Sequence, residues 1–266
     1  MTRELRLRFV RSFYEEGGGD RLMDPACHPP AITEFLREER QVLSAISDSI
    51  DVLVEVGCMD GRNLDWALSH GKRYIGVDLN HRHIDTAQRT AEARGLQERV
   101  RFVAGDARQI DTVIAPAMQG LSPSRALLFF PFNSFGLIPG PSRALRRIQA
   151  SGLLFFISSY QVSAVATACR AAYYQRCGYG SLSVAEDERG VWFTSTEGLR
   201  SVAYHPRYLL GLCAASGLGV APTTWGKINQ AYATPKLVEQ WEAASRFARS
   251  ISGNGSGNGG RLAAQL

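Results

Sequence analysis

Residues 54–63 read VEVGCMDGRN, and the reading of this stretch decides the fold. Val54 and Val56 belong to an apolar run that reads as a buried strand, and Gly57 and Gly61 punctuate the loop after it. Glycine lets a backbone pass close to a ligand, and a helix beginning near Arg62 or Asn63 offers free N–H groups there. Two residues depart from the usual nucleotide-binding loop. Glu55 puts an acid inside the strand, and Met59 stands where a middle glycine is expected. A pyrophosphate wants that positive helix end with no acid beside it, so the loop suits a ligand that carries positive charge.

Outward from this loop, strands and helices alternate. DVLVEV, YIGVDL, VRFVAGDA, ALLFFPF and GLLFFISSY read as five strands. RNLDWALSHG (closed by Gly71), HRHIDTAQRTAEARG and SRALRRIQA read as helices, with Ile84, Ala87 and Ala91 at helical spacing. This alternation argues for a parallel sheet covered on both faces. After Tyr160 the pattern changes. VSAVATACRAAYYQRCGYG reads as a helix, LSVAEDERGVWFTSTEGLRSVAYH as a hairpin turning at residues 188–190, and HPRYLLGLCAASGLG as another helix. VAPTTWGKINQAYATP reads as two antiparallel strands, and SGNGSGNGGRLAAQL as a mobile tail.

In a doubly wound sheet, ligands bind beyond the carboxyl ends of the strands. Asp78 closes YIGVD, 78 − 55 = 23 residues after Glu55, where a carboxylate can accept both hydroxyls of a ribose. Asp106 closes FVAGDA, placed to accept an adenine amino group, and Ala107 leaves its N–H open to a ring nitrogen. An acid at a strand end is often a helix cap or turn former. Three in succession weaken that reading, and the positively charged ligand that fits them is a sulfonium ion with an attached amino acid.

The run EVGCMDG, then YIGVDL, then FVAGDA resembles the class I S-adenosylmethionine-dependent methyltransferases, over roughly residues 50–160. The resemblance implies an α/β fold: a Rossmann-like, doubly wound, seven-stranded sheet with an antiparallel last strand. It implies S-adenosyl-L-methionine as the cofactor. By position it implies that Glu55, Gly57 and Gly61 line the methionine part, Asp78 and Leu79 the ribose, and Asp106 and Ala107 the adenine. Met59 is the departure from the family pattern.

Past the fourth strand, FFPFNSFGLIPGP places Asn133 among the cofactor residues, beside the methyl to be transferred; its plainer reading is a turn former. Enzymes that methylate base amines often carry N-P-P-F or D-P-P-Y here. This chain has P-F-N-S-F, which looks more like the small-molecule methyltransferases. Residues 1–45 are expected to form an N-terminal helical lid, with Tyr14 on it and a hinge at Gly17, Gly18 and Gly19. Residues 46–250 form the methyltransferase domain, and 251–266 a flexible tail. Within the domain, 162–204 is an insertion after the fifth strand whose Tyr173, Tyr174, Tyr179 and Trp192 would wall the acceptor pocket. His205 and Tyr14 are the catalytic candidates. Histidine titrates near ~6.5 and suits a general base, although a histidine before proline also starts helices. Tyr14 reads equally as packing, His28 as loop, and the run of His81, Arg82 and His83 as a solvated helix start.

The 266 residues, 45% hydrophobic and 21% charged, suffice for one large domain or two small ones. A net charge of +5 permits an anionic partner without demanding nucleic acid. Five scattered cysteines with no C-x-x-C argue against a disulfide framework or a metal cluster and suit a reducing cytoplasm. The arginine-rich start is interrupted by Glu4, Glu15 and Glu16, and no run approaches the ~18–20 apolar residues of a membrane span. The expected protein is therefore a soluble, cytoplasmic methyltransferase acting on N, O or C of a small molecule such as a specialised metabolite. An RNA or protein methyltransferase using Arg143, Arg146, Arg147 and the N-terminal arginines as a basic surface is the alternative, weakened by the lack of lysine and aromatic clusters. An NAD-dependent oxidoreductase is disfavoured by Glu55 and Met59.

Overall fold

The computed structural model describes residues 3–254. Five strands run parallel: β1 (Val52–Val56), β2 (Arg73–Asp78), β3 (Val100–Ala104), β4 (Ala126–Phe130) and β5 (Leu154–Tyr160). β9 (Ala221–Trp225) and β10 (Asn229–Ala233) complete a seven-stranded sheet of order β3-β2-β1-β4-β5-β10-β9. β10 lies antiparallel to both β5 and β9, as the resemblance implied. Strand order reverses between β1 and β4, which opens a crevice at their carboxyl ends.

Residue alternation along β1 divides the core in two. Val52, Val54 and Val56 face α5 (Ile110–Ile114), α6 (Pro141–Ser151) and α8 (Pro206–Ala215). Leu53 faces α2 (Pro30–Ala45), α3 (Leu64–Ser69), α4 (His81–Ala93) and α9 (Pro235–Asn254). β4, with Leu127, Leu128, Phe129 and Phe130, is covered on both faces and is accordingly apolar throughout. Each large side chain buried there contributes about 1.5–3 kcal/mol.

A third core lies outside the main sheet. α7 (Ala164–Arg176) packs with β6 (Ser183–Asp187), β7 (Gly190–Thr194) and β8 (Arg200–Tyr204), which pair as a separate antiparallel sheet. The expected hairpin is thus three-stranded, because the chain returns after Thr194 to pair again with β7. Arg170 is buried at its centre, over the rings of Tyr160 and Phe193, and donates to the carbonyls of Val191 and Ser201. Ile32 and Phe35 of α2 are buried in this core, so the second half of the segment expected as a lid is part of the protein's frame.

The first half is a strap. α1 (Arg3–Glu15) leads through Gly17, Gly18 and Gly19 into a short 3-10 turn, Asp20–Met23. The strap is fastened to the insertion. Tyr14 Oη donates to Arg200 O at 2.9 Å, Tyr179 Oη to Gly18 O at 2.8 Å, and Arg21 to Gly178 O at 3.1 Å, while Tyr173 Oη bonds Leu22 O. The glycine run, expected as a hinge, has a packing reason. A Cβ on Gly18 would sit 2.4 Å from the Phe13 ring, so no side chain fits. α9 runs to Asn254, which makes the first residues of the expected tail helical; its remainder lies outside the described residues. No described helix is long and apolar enough to cross a membrane.

Candidate active site

The cleft lies where the switch point predicts. Its floor comes from the ends of β1 to β4 and the loops after them, and its roof from the strap through Val10, Tyr14, Leu22 and Met23. Asp78, Leu79, Asp106, Ala107 and Gly57 all line it.

Asp78 ends β2. Its two carboxylate oxygens accept from the backbone N–H of Met59 at 2.8 Å and of Asn80 at 2.9 Å. Burial raises its carboxyl from the ordinary range, against the pull of those two N–H groups and of nearby His83. Each oxygen keeps acceptor capacity beyond its one backbone bond, the capacity that two ribose hydroxyls need. Met59 holds φ 51° to aim its N–H at Asp78, and the residue lines the cleft. That left-handed backbone costs a non-glycine residue about 1–2 kcal/mol. Met59→Gly should relieve this strain but loosen the unfolded chain by about 0.5–1 kcal/mol. The expected result in a thermal melt is a midpoint equal to or slightly above that of the unaltered protein.

Asp106 is the start cap of the turn Ala107–Gln109, accepting from Arg108 N at 2.8 Å. Arg108 Nε also reaches both its oxygens at 3.0 Å, and Arg11 of the strap stands 3.6 Å away. Burial raises the Asp106 carboxyl, but Arg108 and Arg11 outweigh it and hold it below the usual range. An adenine amino group would therefore share this carboxylate with Arg108. Gly57, at φ 80°, approaches the next loop so closely that a Cβ would stand 3.0 Å from that of Ser134.

Four expected site residues are placed elsewhere. Glu55 points to the same side of the sheet as Leu53 and does not line the cleft. It is fully buried, accepting from Asn63 N at 3.0 Å, Asn63 Nδ2 at 2.6 Å and Tyr74 Oη at 2.6 Å. The acid in the strand thus ties down the start of α3. Gly61 packs under the loop, where a Cβ would meet the Phe102 ring at 3.1 Å. Asn133 turns into the protein from a left-handed backbone, φ 61°, donating to Ser201 Oγ and accepting from Ser159 Oγ. His205 heads α8 away from the cleft, with Nε2 3.2 Å from Glu186 Oε1. The tyrosines Tyr173, Tyr174 and Tyr179 are buried beneath the strap, and Trp192 stacks between Arg189 and Arg200, so the expected aromatic wall is absent from the cleft lining.

Several cleft residues escaped the sequence reading. Phe132, at φ 46°, sits beside Asn133 in a second left-handed position, with its N–H donated to Glu39 Oε1 at 2.7 Å. Glu39 is buried and also pairs with Arg62, whose guanidinium lies 5.5 Å from the Phe132 ring centre. His83 reaches across to Asp20 of the strap at 2.8 Å. No local pattern marks these residues, because each is brought in from a distant part of the chain. Tyr14 does line the cleft, but its hydroxyl is engaged with Arg200 O, and burial drives its ionisation far above the ordinary range. It is no base near neutral pH.

A sheet of this order, with acids at the ends of β2 and β3 and a glycine loop after β1, defines a class of protein that binds a nucleoside cofactor at the switch point. Residues 53–118 match the family model described as a methyltransferase domain. The fold is that of the class I S-adenosylmethionine-dependent methyltransferases, and this match supports S-adenosylmethionine as the cofactor. No curated protein matches it in sequence. Among solved structures, it is similar in fold to the 1,6-didemethyltoxoflavin-N1-methyltransferase of Burkholderia thailandensis, bound to 1,6-didemethyltoxoflavin and S-adenosylhomocysteine. The TM-score is 0.51 at 18% identity, over 86% of this chain and 87% of that one. The magnesium protoporphyrin IX methyltransferase of Synechocystis PCC 6803 gives a TM-score of 0.51 at 11% identity, covering 86% and 99%. A methyltransferase of Aquifex aeolicus gives 0.51 at 14%, covering 80% and 96%.

Proposed function

We propose that the chain transfers the methyl group of S-adenosylmethionine to a nitrogen, oxygen or carbon of a small molecule, such as a specialised metabolite. The observation that carries this reading is the roof. The strap crosses the strand ends, so an acceptor must enter a covered cleft lined by Leu22, Met23, Phe132, Leu137 and Ile138. A folded protein or a nucleic-acid strand needs an open face. Two of the fold relatives named above are small-molecule methyltransferases by name, which agrees with this reading.

In this account Asp78 accepts the ribose hydroxyls, Leu79 packs on the nucleoside, Asp106 and Ala107 serve the adenine, and the backbone at Gly57 borders the amino-acid end. The cofactor supplies a methyl group already activated on a sulfonium. The chain's own work is to hold the two partners in line and keep water out. Among the described residues lining the cleft, the one imidazole is that of His83, and it is engaged with Asp20. An amine acceptor needs no base; a hydroxyl acceptor would lose its proton to water or to a group of its own.

The test is transfer of labelled methyl groups into a cell extract separated into small-molecule, RNA and protein fractions. Label is expected in the small-molecule fraction, and label confined to RNA or protein would overturn the reading. The same account predicts no RNA affinity with the steep salt dependence of phosphate contacts, a slope near ~0.7 per contact on single strands. A salt titration of fluorescent single-stranded RNA checks it.

A further inference from the structure

The strap touches two banks of the cleft in different ways. On the insertion side it is fastened by hydrogen bonds through Tyr14, Tyr173 and Tyr179 and by the exposed pair Arg21–Glu197, and Phe13 is buried in the core it shares with α7 and β7. On the opposite bank, among the described residues, it is held by two partly exposed side-chain contacts, one between Asp20 and His83 and one between Arg11 and Asp106. Asp20 Oδ1 meets His83 Nε2 at 2.8 Å, and Arg11 Nη1 stands 3.6 Å from Asp106 Oδ2. Both partners belong to the cofactor site: His83 is in the first turn of α4, just past Asp78, and Asp106 closes the loop after β3. Asp20 is 52% exposed and His83 20%, so water can compete for this contact. Most of the hold on the other bank comes instead from the buried rings of Phe13, Tyr173 and Tyr179, where water has less access.

We propose that Asp20 and His83 form the closing contact over the nucleoside end of the cleft, and that its rupture sets the rate at which S-adenosylhomocysteine leaves. Opening then separates the strap from α4 and Asp106 while it stays attached to the insertion, so the bond that breaks lies at Asp20 and not in the packed glycine run. The proposal rests on the placing of the nucleoside between Asp78 and Asp106.

The experiment follows release of tritiated S-adenosylhomocysteine from the full chain, chased with an excess of unlabelled compound. Asp20→Ala and His83→Ala are each expected to speed release about three- to fivefold, the effect of one accessible side-chain contact. Because they break the same contact, the double variant should be no faster than either single one. The exchange Asp20→His with His83→Asp should restore slow release, which a merely structural role would not do. Raising the salt concentration should speed release from the unaltered protein more than from either single variant. Melting of the ligand-free variants controls for folding. Release rates equal to that of the unaltered protein in both single variants, or single effects that multiply in the double variant, overturn the proposal. If the unaltered protein holds S-adenosylhomocysteine but Asp78→Ala holds it equally well, the placing of the nucleoside fails instead, and the closing contact falls with it.

Discussion

Replacing Asp78 by alanine weakens S-adenosylhomocysteine binding by about 1–3 kcal/mol, or roughly five- to 150-fold in Kd. The loss has two sources. The ribose hydroxyls lose their acceptor, and the N–H groups of Met59 and Asn80 lose the carboxylate that fixes the loops on either side of the nucleoside. Asp78→Asn keeps one acceptor oxygen but turns an NH2 group on one of those N–H donors, so it should fall between. Isothermal calorimetry at one pH and salt concentration measures both. A Kd for Asp78→Ala within twofold of the unaltered protein would remove Asp78 from the site.

Glu55→Ala acts on stability. It strands three buried donors at once, the N–H and side-chain amide of Asn63 and the Tyr74 hydroxyl. Each buried donor without a partner costs about 1–3 kcal/mol, so a loss of about 3 kcal/mol or more is expected in urea unfolding. Burial raises the Glu55 carboxyl above the ordinary range, opposed by Arg62, Tyr74 and Asn63. The folded state therefore binds its proton more readily than the unfolded state. Stability from this group is fully present below the unfolded value, near 4.5, and declines as pH rises towards the higher folded value. The penalty for Glu55→Ala should accordingly be larger at the acid end of that window than above it. A penalty under about 1 kcal/mol throughout would show that the acid is not the anchor of this loop.

What the sequence made legible was whatever is local. Strand and helix periods, the acids closing β2 and β3, and the glycine after β1 are each written within a few residues, and they locate the sheet and the cleft. The antiparallel end of the sheet came from the resemblance and from two short apolar runs. What was illegible depends on direction and on distant partners. Glu55 stands beside the glycine loop in sequence, but the period of the strand turns it to the face away from the cleft. Asn133 comes after Phe132 in a pair of left-handed residues, and that geometry sends its amide into the protein and leaves Phe132 at the cleft. The aromatic residues of the insertion were read as a pocket wall. They are instead the bed on which the strap lies, since three tyrosine hydroxyls there or on the strap find backbone carbonyls across that contact. His83 looked like a solvated helix start because its partner, Asp20, lies 63 residues earlier.

The central claim is that the cleft between the strap and the ends of β1 to β3 holds the cofactor with its ribose on Asp78. A crystal structure of the chain with S-adenosylhomocysteine tests it most directly. The account predicts both ribose hydroxyls within hydrogen-bonding distance of the Asp78 carboxylate, the adenine between Leu79 and Ala107, and the strap lying over the nucleoside with Asp20 on His83. A ligand bound elsewhere, or bound in the cleft with its ribose out of reach of Asp78, would contradict it.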